Sequence, residues 1–175
     1  ELLPPSGRAL DVACGRGAQR VWLAQQGLAV VALDASPTAI AYLVERAVRI
    51  DEALGRRDTH GAALGRLIDA RVHDLDAGLP EDAVELGAIV CQRFRQPSLY
   101  GEFIERRAVG GVAIVTVLSE TGTAEPGPFH APSGDLRRAF DRSDSEVVHH
   151  AEGQGQESIV VRRIDSSRPP QSSSL

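Results

Sequence analysis

The sequence predicts an α/β protein built on a doubly wound, mostly parallel, seven-stranded sheet that closes with a C-terminal antiparallel hairpin. Three observations carry that expectation. Short apolar runs alternate with segments of helical period. A glycine loop, ACGRG, separates the first apolar run from the first helical segment. Two β-rich segments near the end of the chain are joined by the glycine-rich AEGQGQ.

Taken in order, Arg8 to Val12 reads as the first strand, and Ala18 to Gln26 as a helix stopped by Gly27. Leu28 to Leu33 (LAVVAL) is a strand buried on both faces, by its continuous β-branched character. Ser36 followed by Pro37 starts the next helix, whose apolar positions Ile40, Leu43, Val44, Ala47 and Val48 recur at helical spacing. Residues 51–66 mix charge with glycine and read as a helix end followed by a surface excursion. Leu67 to Val72, Gly87 to Cys91 and Val112 to Leu118 supply strands three to five. Between the last two, Leu99, Phe103, Ile104 and Ala108 suit a helix, and Gly134 to Phe140 a shorter one capped by Ser133. Glu146 to His150 and Ser158 to Ile164 form the closing hairpin. Residues 1–165 are expected to be one domain, and 166–175 (SSRPPQSSSL) a tail without core-forming pattern.

Composition narrows the function. With 42% hydrophobic and 25% charged residues in 175, the chain reads as an ordinary globular protein. A net charge of −5 argues against nucleic acid or an anionic membrane as partner, and no apolar run suits a bilayer. The expected location is the cytoplasm. No methionine is present, so the numbering is expected to begin inside a longer product or after processing. Lysine is absent too; all 19 basic residues are arginine, so any fixed positive charge in a site is a guanidinium. Two cysteines are too few for a disulfide framework or a four-thiolate metal site, and His149 and His150 would point to opposite faces of a strand. No metal is expected. Trp22 and Phe140 read as packing residues, and His130 as a loop histidine with no required role.

Ligands of such sheets bind beyond the carboxyl ends of the strands, beside the first strand, where the glycine loop lies. A dinucleotide fingerprint needs a third glycine for close helix–strand packing, and that position here is Arg20. A phosphate-binding loop needs a lysine the chain does not have. Instead, an acid follows each of three successive strands. Asp11 can accept from a cofactor ammonium, Asp34 from both hydroxyls of a ribose, and Asp74 from an exocyclic adenine amine. Singly, Asp11 and Asp34 could as well cap loop or helix amides. Together they suit S-adenosylmethionine.

The motif DVACGRG, with LDAS after the second strand and HDL after the third, resembles the class I S-adenosylmethionine-dependent methyltransferases, which are Rossmann-like. The segments CQRFR and GPFHAPSGDLRRAF are similar to the tellurite-resistance-type branch of small-molecule enzymes. The resemblance runs from Arg8 to Ile164. It implies that Asp11, Ala13 (a glycine in the family), Cys14, Gly15 and Gly17 line the methionine part of the cofactor. It implies that Asp34 and Ala35 meet the ribose, Asp74 and the Leu75 backbone the adenine, and Cys91 and Gln92 the neighbourhood of the transferable methyl. Gly87 stands where the family often has an acid, and 51–65 is longer than usual.

The expected reaction is in-line methyl transfer to a small-molecule acceptor, with Arg93 and Arg137 as candidate cations on the acceptor side. QRFRQP and the loop from Glu120 to Ser133 are expected to flank the methyl, the loop serving as lid because family members place an N-terminal segment there and few residues precede the first strand. Two alternatives stay open at this point: a cofactor-binding module without activity, and a nicotinamide oxidoreductase, which Arg20 and Asp11 disfavour.

Overall fold

The computed structural model of the chain describes residues 2–16, 19–54 and 64–165. The strands are β1 (Gly7–Val12), β2 (Leu28–Asp34), β3 (Ile68–Val72), β4 (Leu86–Gln92), β5 (Arg107–Leu118), β6 (Ser145–Gly153) and β7 (Gln156–Arg163). The helices are α1 (Gln19–Gln25), α2 (Pro37–Leu54), α3 (Leu64–Leu67), α4 (Tyr100–Glu105) and α5 (Asp135–Ala139). They form a single sheet in the order β3-β2-β1-β4-β5-β7-β6. The first five strands pair parallel; β7 joins β5 antiparallel, and β6 joins β7. The expected sheet and hairpin are both present. Because strand order turns back on itself between β1 and β4, a crevice is forced open at their carboxyl ends.

The continuous apolar runs exist because both sheet faces are covered. Leu10, Val12, Leu33, Ile89, Cys91 and Val115 face one way, against Phe103, Leu136 and Phe140. Ala9, Val30, Ala88, Val90 and Val112 face the other, against Leu23 and Ala24 of α1. Gly87 gains a reason here. A Cβ at that position would lie 2.7 Å from Cγ of Pro4, so the N-terminal segment crosses β4 only over a glycine.

Four local readings are corrected. On α2 up to Ile50, only Ile40, Leu43 and Ala47 are buried, while Val44 and Val48 are about half exposed, because α2 packs on β2 and β3. Ala108 belongs to β5, which begins at Arg107 and shifts register against β4 between Leu86 and Ala88. Ser133 does not cap α5: the first residue outside the helix is Gly134 in a left-handed conformation, and the Ser133 hydroxyl donates to Glu152 instead. Trp22 is 50% exposed rather than packed in the core. Most of the excursion over 51–66 and the tail at 166–175 lie outside the described residues, although α2 does extend to Leu54.

Two buried charged residues hold the C-terminal half together. Arg107 donates to the carbonyls of Phe103 and Val161 and to the Ser145 hydroxyl, joining α4, β7 and β6. Burial lowers its pKa to about 10, still far above neutrality. Glu157 of β7 accepts from the backbone amides of Leu136 and Arg137, so a carboxylate distant in sequence satisfies the first turn of α5, and it also meets His150.

Candidate functional site

At the carboxyl edge of the sheet, β2 ends in Asp34, whose two oxygens are already engaged. Oδ2 accepts from Gly15 N at 2.7 Å and Oδ1 from Ser36 N at 2.8 Å. The carboxylate thereby ties the glycine loop to the start of α2, where the Ser36 hydroxyl accepts from Ala39 N. Capping and ligand binding are compatible, since each carboxylate oxygen has a second lone pair. Gly15 takes a positive φ of 48°, and a Cβ there would meet no atom within 4 Å, so the loop backbone looks onto open space. Ala13 also has a positive φ, 51°.

Beyond the strand ends lie two adjoining cavities. The first, of about 290 Å³, is lined by Ala13, Asp34, Ala35, Asp74, Leu75, Asp76 and Phe94. The second, of about 470 Å³, is lined by Asp76, Arg93, Phe94, Arg95, Gln96, Leu118, Pro128 and Phe129. Asp76 and Phe94 are common to both and form the wall between them. Asp74 caps the 3₁₀ turn at Leu75–Ala77 by accepting from Asp76 N at 3.0 Å, and Asp76 accepts from the Gln96 amide at 3.0 Å.

Of the residues singled out from sequence, Ala13, Asp34, Ala35, Asp74 and Leu75 meet in the first cavity, and Arg93 enters the second. Gly17 lies outside the described residues. Cys14 and Cys91 are buried free thiols at the ends of the loop and of β4, with pKa values pushed up to about 12, chiefly by desolvation and secondarily by the charge of Asp11. Neither is a nucleophile at neutral pH. Gln92, at the end of β4, lines neither cavity, and nor does Arg137, whose guanidinium turns along α5 towards Asp141 at 3.5 Å. Asp76 was missed from sequence, and Phe94 was named only within the QRFRQP segment, without a role of its own. No local motif distinguishes them, because the wall forms only when two crossover loops meet.

Beneath the glycine loop sits an unexpected pair. Arg20, at the position where a dinucleotide fingerprint needs glycine, is wholly buried. Its Nη1 donates to the Cys14 carbonyl at 2.8 Å and lies 3.7 Å from Asp11 Oδ2. Arg20 Nε, Arg20 Nη2 and Asp11 Oδ2 are buried without a hydrogen-bond partner. Desolvation lifts the Asp11 pKa to about 7; Arg20 pulls it down and Asp34 adds to the rise. The strand-end acid thus already has a cation beside it, supplied by the chain.

The surroundings of the second cavity are organised by carboxylates. Arg95 makes a two-pronged contact with Asp135, at 3.0 and 3.1 Å, whereas Arg93 has no ion-pair partner among the described residues. The loop from Glu120 to Ser133 leaves β5 and returns, with Ala131 N donating to the Leu118 carbonyl. Its ends are gathered by Glu152 of β6, which accepts from the hydroxyls of Ser119, Thr121 and Ser133 and from Gly134 N. In between, the His130 ring accepts from Gly127 N and closes a local turn. Desolvation raises the Glu152 pKa, but the four donors outweigh it and leave the carboxyl below its ordinary value. Stability from this cluster is present above the ordinary carboxyl pKa and lost as pH falls through the depressed one. Glu152→Ala is expected to cost ~1–2 kcal/mol in urea unfolding and to speed amide exchange at Thr121 and Gly134. Unchanged exchange at both would show that the loop ends are held by something else.

Comparison with known proteins agrees with this geometry. Residues 10–86 match the family described as "Methyltransferase domain". No curated protein matches the chain. Among solved structures, TehB from Haemophilus influenzae superposes with a TM-score of 0.68 at 20% identity, over 89% of this chain. This chain spans 57% of TehB. The geranyl diphosphate C-methyltransferase of Streptomyces coelicolor A3(2), solved with S-adenosyl-L-homocysteine, gives 0.70 at 12% identity, covering 93% of this chain and 77% of that one. A TehB-like S-adenosylmethionine-dependent methyltransferase from Corynebacterium glutamicum gives 0.61 at 15%, covering 91% and 82%.

The family match covers residues 10–86, and the fold of the chain is the one it shares with these solved methyltransferases. The fold is similar to that of TehB and of the TehB-like protein. Nothing supports the nicotinamide alternative.

Proposed function

We propose that this chain, through one functional domain over residues 1–165, methylates a small-molecule acceptor in the cytoplasm, without a metal and without nucleic acid as substrate. The observation that supports this most is the first cavity, which sets the carboxylates of Asp34 and Asp74 at the ends of neighbouring strands, with Leu75 and Phe94 as apolar surface between them. That pair of acceptors fits the hydroxyls of a ribose diol and the exocyclic amine of an adenine. The open space over Gly15 fits the approach of a ligand to bare backbone. S-adenosylmethionine, when bound, supplies a methyl group activated on a sulfonium for in-line displacement.

The chain's own residues then have distinct tasks. Asp34 and Asp74 orient the nucleoside by accepting hydrogen bonds, and Leu75 and Phe94 exclude water around the base. Gly15, with Gly17, lets the loop lie close to the amino-acid portion, and Asp11, poised near neutrality, tunes the charge beneath it. Ala13, Cys14, Ala35, Cys91 and Gln92 complete the surroundings of the cofactor. Arg93 faces the acceptor cavity and is the cation best placed to meet the acceptor; Arg137 is remote from it. The contribution to rate comes from alignment and desolvation of two ligands in neighbouring cavities.

Titration calorimetry with S-adenosylmethionine and NAD, followed by transfer assays on small acceptors, tests the proposal. Binding of the first and not the second is expected. Measurable NAD binding without S-adenosylmethionine binding would overturn it.

A further inference from the structure

The second cavity describes its own occupant. Apolar surface comes from Phe94, Leu118, Pro128 and Phe129, the last 78% exposed on the loop between β5 and α5. Its charged groups are Asp76, Arg93 and Arg95, and they are not equivalent. Arg95 is neutralised by Asp135, with both carboxylate oxygens engaged. Arg93 has no such partner among the described residues, yet its backbone is firmly placed. Its N–H donates to the Thr116 carbonyl at 2.7 Å, and it adopts a positive φ of 57°. A non-glycine residue in that conformation costs about 1 kcal/mol or more. Arg93 is exposed, so the fold fixes its backbone at the cavity in spite of a local penalty and leaves the side chain in water with no carboxylate beside it among the described residues. Asp76 closes the wall shared with the first cavity and is met by the neutral Gln96 amide, so it keeps its negative charge facing both spaces.

We infer that the acceptor is an amphipathic monoanion: an apolar body lying against Phe94, Leu118, Pro128 and Phe129, with a single carboxylate paired to Arg93. The inference deepens the methyl-transfer reading by naming the class of acceptor, and it rests on that reading for the cavity's role. Size excludes a compact inorganic oxyanion as the best fit. A cavity of about 470 Å³ falls in the range of roughly 300–1,000 Å³ typical of sites for organic ligands. A small oxyanion would satisfy Arg93 and leave the aromatic surfaces wet. Charge excludes a dianion, whose second negative group would face Asp76. A neutral apolar molecule would cover the walls but leave the guanidinium without a counter-charge.

The test uses the purified chain and calorimetry, with S-adenosylhomocysteine titrated first. Hydrocinnamate, its uncharged isostere hydrocinnamamide, the dianion phenylsuccinate and inorganic tellurite are then titrated with and without S-adenosylhomocysteine. Hydrocinnamate is expected to bind about tenfold more tightly than the amide, as a charge-assisted contact at a partly open site would give, and more tightly than phenylsuccinate or tellurite. Arg93→Met should bring hydrocinnamate down to the amide's level, Arg93→Lys should recover part of the difference, and neither should alter affinity for S-adenosylhomocysteine. Equal binding of acid and amide, a preference that survives Arg93→Met, or binding of tellurite alone overturns the inference. The two readings fail separately. If S-adenosylhomocysteine binds and hydrocinnamate does not, the acceptor class falls and the cofactor reading stands. If hydrocinnamate discriminates but S-adenosylhomocysteine does not bind, the anion site stands and methyl transfer falls.

Discussion

Asp11→Leu is expected to destabilise the protein by ~3–5 kcal/mol at pH 8, because it strands a wholly buried guanidinium. Among the described residues Arg20 has one hydrogen bond, to the Cys14 carbonyl, and two nitrogens with none, and Asp11 is its only carboxylate within 4 Å. The double variant Asp11→Leu/Arg20→Met should recover most of that loss, since replacing a buried pair by apolar groups of similar size is often neutral. Urea unfolding of the wild type, the single variant and the double variant measures both. A single variant as stable as wild type would mean that the pair contributes nothing. The pH dependence has a defined sign. A carboxyl whose pKa rises from 3.8 to about 7 on folding binds its proton more tightly in the native state. Its contribution therefore favours the fold below pH 4 and declines as pH climbs to 7, by about 4 kcal/mol in total. The double variant should lack that component of the stability profile.

The second large effect concerns ligand binding. Asp34→Ala should weaken S-adenosylmethionine binding by roughly one to two orders of magnitude, the equivalent of ~1.5–3 kcal/mol for lost charge-assisted hydrogen bonds. The same carboxylate anchors Gly15 N and Ser36 N, so the alanine variant also loosens the loop. Asp34→Asn separates the two roles. It retains an oxygen for one backbone amide and loses the charge, and should lie between wild type and alanine in affinity. Calorimetry on variants that still unfold cooperatively decides the matter: undiminished affinity in both would remove Asp34 from the ligand's contacts.

The strands were legible because burial on both faces leaves a signal that survives in one dimension: LAVVAL and VAIVTVL admit few other readings. Two of the three strand-end acids were legible for a related reason. Asp11 and Asp34 interrupt apolar runs at the edge where the sheet opens, whereas Asp74 follows the mixed segment IDARVH and is marked only by its place after the third strand. The interior arginines were not legible, because with every basic residue an arginine nothing local separates Arg20 and Arg107 from the seventeen others. The same limit applies to α5, whose first turn is satisfied by Glu157 from the far hairpin rather than by neighbouring Ser133. Helical period overreached at Val44, Val48 and Ala108, where the partner surface is narrower than the pattern or a strand starts early. Asp76 and Phe94 acquire meaning only from the spatial meeting of two loops.

The arrangement around Glu152 also bears on how such a protein can change over evolutionary time. Its donors sit at the two ends of the loop, Ser119 and Thr121 on one side and Ser133 and Gly134 on the other, while Pro128 and Phe129, which face the cavity, lie between. The anchor and the reading surface are thus separate stretches of chain. Gly122 belongs to the fixed frame, since at its φ of 77° a Cβ would lie 2.7 Å from Gln154 N, whereas residues 124–130 form an exchangeable cassette. Since closure entropy grows only slowly with loop length, insertions there are tolerated at small energetic cost. Grafting segments between Thr123 and Ala131 would change the lining of the second cavity at Pro128 and Phe129 and leave that of the first as it is.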